Sequence, residues 1–92
     1  MASKWYVYIV RCADNSLYTG VATDLARRIN EHNADDRLGA RYTRARRPVQ
    51  LVYSEVCNGR SQAQQREYAI RKLSRAQKES LLAVNPPQVT MC

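Results

Sequence analysis

The chain has no phenylalanine, although it contains six tyrosines and one tryptophan. Every aromatic side chain therefore carries a hydrogen-bonding group as well as an apolar ring. Tyr6, Tyr8 and Tyr18 lie close together near the N-terminus. Because strands favour aromatic residues, any one of these rings is more often there for packing than for chemistry.

Cysteine and histidine are scarce. The three cysteines, Cys12, Cys57 and Cys92, show no Cys-x-x-Cys spacing, and there is one histidine. This pattern argues against a structural zinc site and predicts ordinary free thiols. Thiols that stay reduced are typical of the cytoplasm.

Long apolar runs are also missing. No stretch approaches the ~20 residues that a membrane-spanning helix needs. The N-terminus leads directly into strand-like sequence, without the apolar core or cleavage site of a signal peptide. We therefore expect a cytoplasmic protein with no membrane partner. A length of 92 residues predicts a single domain, which we place at 1–84, followed by a tail at 85–92.

Acidic residues are outnumbered, with 8 Asp and Glu against 15 Lys and Arg, which gives a net charge of +7. Most of the basic residues are arginines, whose guanidinium groups bind phosphate oxygens in pairs. This composition favours a nucleic acid over a membrane surface as the partner. A basic surface without a partner is the alternative, since net charge informs on association and not on fold.

The order of the expected elements is β-β-α, a basic connection, then β-α-α. Residues 5–12 and 17–22 are rich in aromatic and β-branched types and predict a β-hairpin with a turn at 13–16. Thr23 and Asp24 can cap a short helix at 25–33. A polar connection covers 34–48, a third strand covers 49–56, and two helices cover 61–73 and 74–84, capped by Ser61 and Ser74. We expect an α+β fold, with a three-stranded, mostly antiparallel sheet flanked by helices in an α/β sandwich.

On the helix at 25–33, two adjacent arginines are not equivalent. Leu25 and Ile29 define the apolar stripe, which Arg28 and His32 flank on one side, four residues apart. Arg27 points to nearly the opposite side and should be solvated. Arg28 and His32 could equally be a surface charge and a structural imidazole.

Glu67 lies beside Ala63 and Ile70 on the apolar face of its helix, at the edge of the inward side. A carboxylate there needs a cation, because burying an unpaired charge is costly. The spacing leaves two answers open, which are an ion pair with an arginine and a divalent ion such as Mg²⁺ held with waters and phosphate.

The two tyrosines Tyr8 and Tyr18 share a face of the sheet only if the hairpin loop has an odd number of residues, such as 13–17. A loop at 13–16 would pair Cys12 with Leu17 and place the phenols on opposite faces. We predict the odd loop, or an equivalent bulge. To act as a base near neutral pH, a phenol would need a cation beside it, which Arg28 or a metal could supply.

Several runs in this order resemble the GIY-YIG nuclease superfamily. They are YVY at 6–8, YTG at 18–20, DLARRINEH at 24–32, GARYTR at 39–44, RPV at 47–49 and EYAIRKL at 67–73, followed by Arg75 and Lys78. The resemblance covers nearly the whole chain and is greatest to small stand-alone bacterial members. The superfamily includes homing endonucleases, a nuclease of DNA excision repair and structure-specific resolvases.

The resemblance implies five catalytic positions, Tyr8, Tyr18, Arg28, His32 and Glu67. It implies hydrolysis of a DNA phosphodiester with one Mg²⁺ or Mn²⁺ held by Glu67, a water positioned by a phenolate, and Arg28 stabilising the charge on the phosphoryl oxygens. Two features depart from the pattern. The first motif begins with Tyr6 in place of glycine, and an asparagine common in the superfamily has only Asn85 as a counterpart.

We therefore expect a metal-dependent DNA endonuclease that favours single-stranded, flap or branched DNA. A binding module that does not cut, and a nuclease subunit that needs a protein partner, are the alternatives. No separate DNA-binding domain is evident, so contacts to DNA fall to the helix at 25–33 and the basic connection. The expected DNA-binding residues are Arg27, Arg37, Arg41, Tyr42, Arg44, Arg46 and Arg47.

Overall fold

The structure is a computed structural model that describes residues 4–35 and 37–84. The expected tail at 85–92, which includes Asn85, lies outside the described residues. In chain order, the helices and strands are β1 (Trp5–Arg11), β2 (Leu17–Ala22), α1 (Leu25–Ala34), α2 (Arg41–Arg44), β3 (Gln50–Cys57), α3 (Arg60–Arg71) and α4 (Arg75–Val84).

The strands form a three-stranded sheet in the order β2-β1-β3. Both neighbours run antiparallel to β1. The expected α+β architecture is confirmed, and the third strand docks on the side of β1 that the hairpin leaves open. β1 is consequently the central strand and is buried on both faces, with Val7, Tyr8, Ile9 and Val10 at most 1% exposed.

The hairpin loop has the predicted odd length. Arg11 pairs with Leu17, and Val10 pairs with Tyr18, so the loop comprises residues 12–16, one position earlier than 13–17. Asn15 adopts a positive φ of 73° in this loop, a conformation that asparagine tolerates. Tyr8 and Tyr18 therefore project from the same face of the sheet.

Helices cover the two faces of the sheet and bury two separate apolar layers. One layer joins Val7 and Ile9 to Ala63 and Ile70 of α3, and α4 packs against it. The other surrounds Tyr8 and Val10, and α1 packs against it through Leu25 and Ile29. The sandwich thus places α1 and α3 on opposite sides of the central strand.

Two of the three expected helix caps are confirmed. The Asp24 carboxylate accepts a hydrogen bond from Arg27 N at the start of α1. Before α4, Ser74 Oγ accepts from Gln77 N, while Gln77 Oε1 accepts from Ser74 N, a reciprocal capping box. The expectation for Ser61 is wrong, because α3 begins one residue earlier with Gly59 as its N-cap.

The polar connection at 34–48 differs most from expectation, since it contains the one-turn helix α2. Arg47 follows α2 and donates to the carbonyl oxygens of His32 at 2.6 Å and Asp35 at 3.0 Å. These bonds satisfy carbonyl groups that the end of α1 leaves open. The connection is thereby held against the helix that carries Arg28 and His32. No helix among the described residues is long and apolar enough to cross a bilayer.

Candidate active site

Tyr8 and His32 form the centre of the candidate site. The Tyr8 hydroxyl lies 2.7 Å from Nε2 of His32. Tyr8 belongs to the central strand β1, and His32 belongs to α1. Both side chains are essentially removed from solvent, at 1% and 0% exposure. A sheet and a helix thus hold a phenol against an imidazole in a dry environment.

Thr43 fixes which ring nitrogen of His32 carries the proton. Nδ1 lies 2.8 Å from Thr43 Oγ1, and that hydroxyl donates its single proton to the Ala40 carbonyl at 3.0 Å. Thr43 must then accept from Nδ1–H, which leaves Nε2 to accept the proton of Tyr8. With this tautomer, every polar side-chain atom in the series Tyr8–His32–Thr43 has a hydrogen-bond partner. The tautomer is inferred from this bonding pattern.

Burial sets the charge states of the pair. Burial raises the pKa of Tyr8 to about 12, and the adjacent Arg28 guanidinium opposes this shift without overcoming it. Burial is also the main cause that lowers the pKa of His32 to about 4, with the positive charge of Arg28 adding to it. Of the two cations expected to favour the phenolate, Arg28 does not reach that result by itself because desolvation outweighs its charge, and the role of a metal stays a prediction. Both groups are neutral at pH 7.

Gly20 is required by the position of the phenol. It pairs with Tyr8 across the hairpin, and a Cβ at this position would lie 2.5 Å from the Tyr8 hydroxyl and 2.8 Å from Cζ. Contacts this short do not occur without displacement. The absence of a side chain at Gly20 thus leaves room for the Tyr8 ring to cross β2.

Aromatic contacts extend the site from His32 to the surface. The Tyr18 ring meets the His32 ring edge to face at 5.4 Å between centroids, and it stacks on Tyr42 of α2 at 5.8 Å and 22°. The Arg46 guanidinium lies 4.0 Å from the centre of the Tyr42 ring. Tyr8 and Tyr18 therefore belong to one site, as the hairpin parity requires.

Arg28 lies at the rim of this site. Its Nη1 donates to Glu31 Oε1 at 2.9 Å and to the Leu38 carbonyl at 2.6 Å, and its charge acts on Tyr8. Arg27 is 68% exposed, with its Nε 3.6 Å from Glu31 Oε2. The distinction between the two adjacent arginines is confirmed, since one faces the phenol and the other faces solvent.

Glu67 approaches from the other layer of the sandwich. Its helix packs on β1 and β2, and Ala63 and Ile70 are fully buried while the Glu67 side chain is 21% exposed. The carboxylate lies 3.4 Å from Nη1 of Arg71, which realises the ion-pair alternative. Its negative charge also raises the pKa of Tyr8, so the carboxylate and the phenol act on each other without direct contact.

The donor set near Glu67 is compatible with a hard divalent ion. Within residues 4–35 and 37–84, no three His, Cys, Asp or Glu side chains come together as metal ligands. Mg²⁺ is commonly held by one or two carboxylates with waters and substrate phosphate as its other ligands. Glu67, half-buried and near enough to Tyr8 for its charge to raise the pKa of that phenol, could supply such a single carboxylate.

The five expected DNA-binding arginines of the connection fall into two groups. Arg37, Arg41 and Arg44 are exposed on and before α2. Arg46 is occupied by Asp14 at 3.0 Å and by the Tyr42 ring, and Arg47 is bonded to the end of α1. Arg46 and Arg47 therefore help to hold the site's framework in place. A role in DNA binding stays a prediction for all the residues expected to have one.

Sequence reasoning missed Thr43 and Glu31. Thr43 is 0% exposed because α2 turns it inward, whereas the sequence predicted an irregular connection there. Glu31 holds Arg28, and the three-residue spacing between them on one helix was the available signal.

Comparison with known proteins identifies the family. The sequence model of the family described as the GIY-YIG catalytic domain matches residues 4–80. The chain belongs to the GIY-YIG family. The family match points to a nuclease-type hydrolase acting on nucleic acid.

Relatives of similar size extend the match over the chain. The chain is 60% identical over 78 residues to a UPF0213 protein of Desulfotalea psychrophila, which covers 85% of this chain and 70% of that protein. It is 52% identical over 83 residues to one of Natronomonas pharaonis, covering 90% and 95%.

Two solution NMR structures have the same fold. The protein EF2693 of E. faecalis has a TM-score of 0.60 at 39% identity, covering 91% of this chain and 90% of that one. The UPF0213 protein BH0048 of Bacillus halodurans has a TM-score of 0.57 at 42% identity, covering 88% and 84%.

Proposed function

We propose that this GIY-YIG domain is an endonuclease that hydrolyses DNA phosphodiesters with one Mg²⁺ or Mn²⁺. The observation that carries the proposal is the buried hydrogen-bonded chain from Tyr8 through His32 to Thr43, next to the Arg28 guanidinium. A phenol whose proton is already directed at a neutral imidazole is arranged for proton transfer.

Tyr8 and His32 serve as the proton acceptor in this proposal. The oxygen of an attacking water bonds to phosphorus, and the bond from phosphorus to the 3′ oxygen breaks. The proton of the water passes to the Tyr8 oxygen as the Tyr8 proton passes to Nε2 of His32. The 3′ oxygen takes a proton from solvent and His32 releases its extra proton to solvent through Tyr8, which leaves a 5′ phosphate, a 3′ hydroxyl and both residues neutral. Tyr18 packs on the His32 ring and keeps the pair in place.

Arg28 binds the phosphoryl oxygens on which negative charge develops. A single donor aimed at such an oxygen typically contributes ~2.7–4 kcal/mol of transition-state stabilisation. Glu67 is the residue that would hold the ion, with Arg71 as its partner when no ion is bound. When bound there, Mg²⁺ or Mn²⁺ would supply positive charge to the reacting phosphoryl group.

The proposed substrate is single-stranded, flap or branched DNA. The exposed arginines of the α2 region, including Arg37 and Arg41, can follow a phosphate backbone. The partly exposed Tyr42 ring offers an aromatic surface to an unstacked base. Preference for these forms over intact duplex is part of the proposal, as are the cytoplasmic location and a protein partner for targeting.

The test is a cleavage panel of single-stranded, flap, junction and duplex oligonucleotides with Mg²⁺ or Mn²⁺. Wild type should nick the first three forms faster than duplex. Glu67→Ala should abolish nicking while its gel-shift affinity stays close to that of wild type. Binding without cleavage by wild type under either metal would instead favour a binding module. Activity that appears only in a reconstituted mixture would favour a nuclease subunit.

A further inference from the structure

A cleft of about 280 Å³ opens along the outer edge of β2, next to the candidate active site. Its lining residues are Leu17, Tyr18, Thr19, Tyr42, Arg71 and Lys78. Two of them connect it to the site already described, since Tyr18 touches His32 and Arg71 pairs with Glu67. A ligand in the cleft would therefore lie beside the scissile phosphate.

The cleft carries a positive charge at one side. Arg71 of α3 and Lys78 of α4 both line it, and none of the described lining residues is acidic. Arg71 is 63% exposed. Two cations from neighbouring helices converging on one small cleft favour an anionic group such as phosphate.

Thr19 adds an observation independent of charge. The residue is 4% exposed, and its Oγ1 is buried without a hydrogen-bond partner among the described residues. Buried polar groups are nearly always bonded, and this unpartnered hydroxyl belongs to a residue that lines the cleft, so a ligand in the cleft could supply the missing bond. A hydroxyl can donate to a phosphate oxygen.

The other wall is aromatic. The stacked rings of Tyr18 and Tyr42 lie opposite the cations along the cleft's lining, and Arg46 holds Tyr42 from outside the cleft's lining. Tyrosine pairs offer a flat apolar surface on which a nucleoside can pack. The volume is close to the lower end of the ~300–1,000 Å³ of ligand pockets, which suits one nucleotide and not a stretch of strand.

We infer that this cleft is a subsite for one unstacked nucleotide flanking the scissile phosphate. Arg71, Lys78 and the Thr19 hydroxyl bind its phosphate, and the Tyr18–Tyr42 pair packs against its nucleoside. The inference rests on the proposed function for the statement that a scissile phosphate lies nearby. Because a nucleotide in intact duplex is stacked on both sides, the subsite gives a physical reason for a preference for single-stranded and branched DNA.

The test is a metal-free NMR titration of the chain with thymidine 5′-monophosphate, thymidine or inorganic phosphate. These probes contain no internucleotide bond, so the result does not depend on cleavage. The monophosphate should shift the amide signals of the cleft and bind more tightly than either of the other probes. Equal affinity for inorganic phosphate would overturn the aromatic half of the subsite, and signals that shift elsewhere would overturn all of it.

Matched variants distinguish binding in the cleft from nonspecific attraction of the monophosphate to a basic protein surface. Lys78→Ala and Thr19→Val should each weaken binding of the monophosphate by at least about tenfold, as expected for a lost bond to a charged ligand. Lys72→Ala is the control, because Lys72 lies 4.8 Å from the Tyr68 ring and is not a cleft residue. Equal loss in Lys72→Ala and Lys78→Ala would contradict the inference. Thymidine monophosphate binding by a wild type that never cleaves DNA would support the subsite and refute the nuclease.

Discussion

The hydroxyl of Tyr8 and Nε2 of His32 lie 2.7 Å apart, although 24 positions separate the two residues in the chain. The contact is made across the layer between the central strand and α1, with both residues out of solvent. A buried polar pair of this kind is tolerated only when all its bonds are satisfied. Here Thr43 completes the set, and Arg28 stands beside it as the nearest charge.

The stability of the protein should depend on pH through His32. Its folded pKa is lowered to about 4 from 6.5, so between these values the unfolded chain binds more protons than the folded one. The free energy of unfolding should therefore fall as pH drops from 6.5 toward 4, by up to about 3 kcal/mol from this group. Urea unfolding at several pH values measures it. His32→Gln, which cannot titrate, should lose most of the slope between pH 6.5 and 5, and an unchanged slope would be the contrary result.

Replacing Gly20 by alanine should disable the site while leaving the sheet intact. The new Cβ would meet the Tyr8 hydroxyl at 2.5 Å and push the phenol from His32, and misplacement by about 1 Å can reduce a rate by roughly 10²-fold. The cleavage rate tests the predicted loss of activity, and circular dichroism tests whether the sheet stays intact. Gly59→Ala is the control, since nothing lies within 4 Å of its Cβ. A Gly20→Ala enzyme with full activity would show that the phenol's position is unimportant.

Thr43 should act as a positioning residue. Thr43→Val keeps the shape but leaves Nδ1–H buried without an acceptor, which should lower the free energy of unfolding by ~1–3 kcal/mol. Thr43→Ser should restore both stability and cleavage because it returns the hydroxyl. The nitrogen chemical shifts of His32 report its tautomer and should show the Nδ1–H form in the wild type, whereas wild-type stability and cleavage rate in Thr43→Val would argue against this role.

The adjacent arginines Arg28 and Arg27 should separate chemistry from binding. Arg28→Ala should reduce the single-turnover cleavage rate by about 10²–10³-fold, as for the loss of a donor to a charged transition state. Arg27→Ala removes an exposed charge from the same helix and should affect DNA affinity alone, with a smaller salt dependence. Similar rate losses in both variants would contradict the assigned roles.

The sequence was sufficient for the parts of the site that depend on local periodicity. The odd hairpin loop placed Tyr8 and Tyr18 on one face, and the helical wheel separated Arg28 from Arg27. Periodicity reports the face of an element and not its neighbours. The bond from Thr43 to His32 and the docking of α3 and α1 on opposite faces of the sheet are set by tertiary packing. The charge states also depend on burial, which is why the expected effect of Arg28 on Tyr8 was outweighed.

The most direct measurement is the single-turnover cleavage rate of Tyr8→Phe on a flap oligonucleotide with Mg²⁺ or Mn²⁺. Tyr53→Phe is the matched control, because Tyr53 is also buried with a pKa raised to about 12, yet it bonds Glu55 in the other layer. Tyr8→Phe should lose at least about 10²-fold in rate, within the range that general acid–base catalysis contributes, while gel-shift affinity is kept and Tyr53→Phe cleaves normally. Wild-type cleavage by a folded Tyr8→Phe protein would contradict the central claim.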